Sequence, residues 1–126
     1  MARVVVGVLA GLVAWFAVAT LGNFVLRAAL PGYAEVEKAM NFTLGMMIAR
    51  LLLGALASLC AGFVVAWISR RSGAPVVALV AVLLALFVPV HYAMWTTFPF
   101  WYHLVFLTSI VLLTWSGAAA LRRSAQ

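Results

Sequence analysis

Four apolar stretches, each long enough to span a bilayer as a helix, leave this chain few folds to adopt. The first runs from Val4 to Leu26 without a charged residue. About 20 apolar residues in a helix cross the ~30 Å hydrocarbon core of a membrane, and in lipid only helices or closed barrels satisfy every backbone group. Comparable stretches occupy 44–69, 76–95 and 100–121. The chain of 126 residues is 68% hydrophobic and 8% charged, whereas soluble domains carry about 25% charged residues. The sequence predicts an all-α integral membrane protein: one domain over 1–126, with four transmembrane helices in an up-and-down antiparallel bundle.

The few charges set the expected orientation. Arg3, Arg70, Arg71, Arg122 and Arg123 fall on one side, and Arg27 and Lys38 on the other beside Glu35 and Glu37. The side richer in arginine is retained in the cytoplasm, so both termini are expected there. The net charge of +6 sits at helix ends and forms no phosphate-tracking stripe. The expected partner is therefore the lipid bilayer and not nucleic acid. Arginine in place of lysine, among abundant Ala, Val and Leu, points to a GC-rich bacterium and its inner membrane. Arg3, the apolar run and Ala17-Val18-Ala19 also have the layout of a signal peptide. Apolarity continues to Leu30, however, which favours a retained first span.

Pro31-Gly32 turns the chain after that span. Tyr33, Val36, Met40, Leu44 and Met47 then recur at helical spacing, opposite Glu35, Lys38 and Asn41. Residues 33–43 read as an amphipathic lead-in, lying at the interface or running straight into the second span. Twenty residues separate Arg50 from Arg70; at ~1.5 Å each that is about one hydrocarbon thickness. Arg50 is thus placed at the core edge and not at its centre. Pro89 is expected to bend the third span, and Pro99 to open the fourth.

Small residues mark the expected packing seams. Gly54, Ser58 and Gly62 follow Arg50 at intervals of four, and Gly7 and Gly11 form a GxxxG extended by Ala14. Such faces admit close helix approach in lipid, and the two columns are expected to meet each other.

The polar residues gather at the outer end. Asn23, Arg50, His91, Tyr92, Trp95 and His103 compose a candidate outer pocket; the same residues also suit an interfacial belt of aromatic anchors and snorkelling arginine. His91 and His103 each lie six residues from Thr97, so antiparallel helices bring them to one depth. They are the candidate ligands for a metal or haem iron, with Met40, Met46, Met47 and Met94 nearby and no HxxxH spacing. Cys60 is the single cysteine. No Ser-His-carboxylate spacing, glycine-rich phosphate loop or CxxC occurs, so the sequence weighs against an enzyme and supplies no catalytic residue or cofactor.

Known four-span families fail at their defining residues. Small multidrug exporters need a carboxylate in the first span, fluoride channels a Gly-Asn-Arg pattern, and vitamin K quinone reductases paired cysteines; none is present. The hydropathy layout resembles that of small four-span bacterial membrane proteins, a likeness that implies no activity. The expected role is an accessory or structural subunit, forming a homo-oligomer or joining a larger membrane complex. The alternative is an oligomeric small-solute transporter or channel using the outer pocket, and a third option is a metal or haem carrier.

Overall fold

A computed structural model describes residues 1–124 and is all-helical, with no strand among them. It contains α1 (Ala2–Ala29), α2 (Tyr33–Ala39), α3 (Leu44–Ser69), α4 (Ala74–Ala93) and α5 (Phe100–Ser124). All but α2 are long and apolar enough to cross a membrane, which is compatible with a multi-pass membrane protein.

Local chemistry places the breaks. Pro31 cannot donate to the α1 ladder, and Gly32 adopts φ +76°, a left-handed turn that glycine takes without steric cost. The lead-in does not continue into the second span. It forms its own short helix and closes at Met40, whose φ of 54° reverses the chain, with the Asn41 N–H donating to the Val36 carbonyl. Thr43 then caps α3, its hydroxyl oxygen accepting from the Met46 N–H at 3.3 Å. At the other end, the Ser69 hydroxyl donates to the Val65 carbonyl at 2.6 Å and its oxygen accepts from the Arg71 N–H. Pro75 occupies the first turn of α4, where its missing N–H costs nothing. The helix runs through Pro89 and stops at Ala93, leaving Trp95 in the turn to α5.

α3 is the central element: its interfaces with α1 and α5 are the largest in the molecule, and α4 fills in against α1, α5 and α3. The glycines show how. A methyl on Gly7 would meet the Val65 carbonyl and Ser69, and one on Gly11 the Ala61 carbonyl. Gly54, by contrast, lies under the Phe106 ring, and a methyl on Gly62 would fall inside the Thr114 peptide group. The α3 column therefore divides. Gly54 and Gly62 turn to α5, while α1 packs on the neighbouring Ala61, Val65 and Ser69. Gly62 and Val65 stand about 60° apart around the helix at ~3.6 residues per turn, so adjacent faces of α3 meet different neighbours. Gly117, which the sequence did not single out, matches Gly62 from the α5 side, against the Leu59 carbonyl. Ser58 does face α1: its hydroxyl accepts from the Trp15 indole N–H at 3.1 Å and donates to the Gly54 carbonyl at 2.9 Å.

Candidate functional site

The outer end is organised by Arg50. Its Nε donates to the Tyr102 hydroxyl at 3.3 Å and its Nη1 to the Tyr33 hydroxyl at 2.9 Å. The guanidinium lies over the Phe42 ring, 4.6 Å from the centroid, within the range of a cation–π contact. One planar fork thus ties α3 to α5, to α2 and to the loop between α2 and α3. Tyr33 is wholly buried, so the phenol that the amphipathic pattern offered as an apolar contact also carries a buried polar group. Glu37 joins from α2: its Oε2 lies 3.8 Å from Arg50 Nη1, and its Oε1 accepts from Arg27 Nη2 at 2.7 Å and Nε at 2.8 Å. Two arginines from α1 and α3 share one carboxylate, leaving one net positive charge in the group. Arg50 Nη2 makes no hydrogen bond to the described residues, so the fork retains donor capacity.

Beneath the guanidinium is a cleft of about 240 Å³ whose walls include Trp15, Asn23, Phe87, Tyr102 and Phe106. Trp15 packs on Phe87 at 4.6 Å between centroids, so the floor is aromatic and the rim polar. Asn23 Oδ1 is buried and has no hydrogen-bond partner. Of the six residues proposed for an outer pocket, Asn23 and Arg50 line this cleft. The other four do not.

Those four lie in and around a separate cluster. His91 and His103 are both buried, and their Nδ1 atoms are 2.7 Å apart. Trp95 stacks on the His103 ring at 5.0 Å, and its carbonyl lies 3.3 Å from His103 Nε2. A carbonyl only accepts, so His103 Nε2 carries a hydrogen. In the neutral ring His103 Nδ1 is then the acceptor, and His91 Nδ1–H the donor. Two imidazole nitrogens on one tetrahedral metal would stand about 3.3 Å apart, given metal–nitrogen bonds of ~2.0–2.1 Å. In this arrangement the pair is closed on a hydrogen bond, and metal binding would require the rings to separate. No group of three or more metal-capable side chains occurs among the described residues. Tyr92 is 82% exposed and lines, with Trp95, a separate open cleft at the turn into α5.

Sequence reasoning missed Trp15 as the partner of Ser58, and Tyr33 and Phe42 as the partners of Arg50. Trp15 was hidden by position: it lies in mid-span, where an aromatic reads as ordinary apolar filling. The signal for Tyr33 was present, because it is the first residue of the apolar phase 33, 36, 40. Tyr102 carried no signal beyond its place at the aromatic outer end.

Chemically, the arrangement can hold an acceptor against the spare donors of Arg50 and can share one proton between two imidazoles. No family model, curated protein or solved structure matches the chain.

Proposed function

We propose that the chain is a multi-pass protein of the bacterial inner membrane. Its four long helices cross in up-and-down antiparallel order with both termini in the cytoplasm, and it serves as a non-catalytic accessory or structural subunit. It acts as a homo-oligomer or within a larger membrane complex. The observation that supports this reading best is how the deep polar groups are used. Arg50 binds two tyrosines, Trp15 binds Ser58, and His91 binds His103. Each pair joins two helices, as interhelical polar contacts do in lipid. Side chains so engaged fasten a scaffold together. Purification in a mild detergent tests the proposal: a discrete multiple of the chain mass, or a second protein in fixed ratio, is expected. Recovery of the monomer alone across several mild detergents and after cross-linking in the membrane would overturn it.

A second reading, an oligomeric small-solute transporter or channel, draws on the cleft under Arg50 and its unpartnered Asn23 oxygen. Transporters usually place charge or a broken helix near the midplane, and the central part of α3 is an unbroken helix of small and aliphatic residues with Ser58 and Cys60. Solute flux into proteoliposomes distinguishes this reading from the first.

A further inference from the structure

At the end of the molecule opposite Arg50, five arginines stand with no acidic residue near them. The chain has two carboxylate side chains, and both belong to α2. Arg3 opens α1, Arg70 and Arg71 follow α3, and Arg122 and Arg123 lie in the last turn of α5; all are exposed. The antiparallel approach of α1 to α3, seen in Gly7 against Ser69, and the parallel course of α5 beside α3, seen in Gly54 against Phe106 and Gly62 against Thr114, gather them at one level. Like charges so gathered repel one another and raise a local potential that an anion relieves.

The surface there is shaped as well as charged. Trp67, 64% exposed, stands between two clefts. One, of about 410 Å³, runs between the start of α1 and the end of α3 and is walled by Arg3 and Arg70. The other, of about 350 Å³, runs between the ends of α3 and α5 and is walled by Arg70, Arg71, Ser72 and Arg122. Arg70 is common to both. Each cleft has an apolar side leading along the helices (Val6 and Ile68 in the first, Ala66 and Leu121 in the second) and an arginine rim at the helix ends. An apolar groove ending in an arginine rim matches the shape of an amphiphile, and guanidinium forks suit phosphate oxygens in a bidentate manner. Tryptophan is at home at headgroup depth.

We propose that these paired clefts are a binding site for anionic phospholipid, with a phosphate seat on each side of Trp67. A lipid carrying two phosphates, such as a diphosphatidylglycerol, fits the pair best. The inference is independent of the proposed role as a subunit and of which side of the membrane this end faces.

Native mass spectrometry of the full chain, released from neutral detergent, tests it with three added lipids: diphosphatidylglycerol, phosphatidylglycerol and phosphatidylcholine. Adducts of the two anionic lipids should survive collisional activation that strips phosphatidylcholine, and the diphosphate lipid should persist longest. Changing Arg70→Gln together with Arg122→Gln should weaken the anionic adducts by about thirtyfold, at ~1 kcal/mol for each arginine. Lys38→Gln removes one exposed charge at the far end and should leave them unchanged. Should the double variant fail to fold, Arg122→Gln alone carries the comparison. Equal retention of phosphatidylcholine sinks the proposal, as does an equal loss in Lys38→Gln, which would reveal attraction to net charge alone. Complete displacement of the lipid by excess inorganic phosphate would also overturn it, by showing a seat for the free anion.

Discussion

Replacing Gly62 with alanine is the sharpest test of how the bundle closes. A methyl at this position falls within the Thr114 peptide group, with the carbonyl oxygen nearest. The obstacle is backbone, so no side-chain rotation relieves it and α5 itself must move. Overpacking of this kind costs about 1–3 kcal/mol, and the absence of a flexible neighbour puts it at the upper end. Alanine returns ~0.8–1 kcal/mol through its better helix propensity, leaving a net loss of about 2 kcal/mol. Gly45 is the internal control. It lies in the first turn of the same helix, and a methyl there meets nothing within 4 Å, so Gly45→Ala should be neutral or stabilising by up to ~1 kcal/mol. Denaturant unfolding in mixed micelles, followed by helicity, reads both variants in one series. Gly117→Ala should resemble Gly62→Ala, because its methyl would strike the Leu59 carbonyl. A Gly62→Ala protein as stable as wild type, beside a costly Gly45→Ala, would show that α3 and α5 do not meet at their backbones.

Arg50→Lys should not restore the native outer end, because one ammonium cannot hold Tyr33 and Tyr102 in the geometry of the guanidinium fork; limited trypsinolysis at Lys38 should accelerate, and wild-type protection would refute the tie to α2. Ser58→Ala strands the buried Trp15 N–H and should destabilise by about 1 kcal/mol. In that background Trp15→Phe should cost less than it does in the native chain, and strict additivity of the two changes would remove the bond from the account. For the proposed orientation, a cysteine at position 124 on a Cys60-free background should resist an impermeant thiol reagent in intact cells while one at Glu35 reacts. Labelling of position 124 from outside would reverse the assignment.

The four long helices were legible because apolar length is a property of the sequence itself. The charges at 3, 27, 70 and 122 mark their ends with little ambiguity. What lay beyond reach was azimuth. A spacing of four places Gly54, Ser58 and Gly62 near one face, yet it does not say which helix that face meets. The answer split between α1 for Ser58 and α5 for the glycines. The polar outer end was legible as a level and not as a set of contacts. Depth arithmetic brought Arg50, His91 and His103 to one end, but two distinct clusters form there, divided by the Tyr102 and Phe106 rings. Whether the lead-in joined α3 turned on the left-handed backbone at Met40, a conformation that methionine seldom adopts and that no residue pattern announces.

The reciprocal glycines of α3 and α5 act as a detent. A slide of one turn, ~5.4 Å, would bring position 58 or 66 to the Thr114 carbonyl in place of position 62, and both Ser58 and Ala66 carry the Cβ that Gly62 lacks. Piston motion between these two helices is blocked in either direction. Gly7 and Gly11 engage α1 with α3 in a similar way, against the Val65 and Ala61 carbonyls. The three helices are therefore joined to one another along close backbone contacts. α4 contains no glycine and meets them through the tips of Leu79, Phe87 and His91, contacts that side-chain rotation can remake. In mechanical terms the seams of α1, α3 and α5 are keyed by backbone, and that of α4 by side-chain tips.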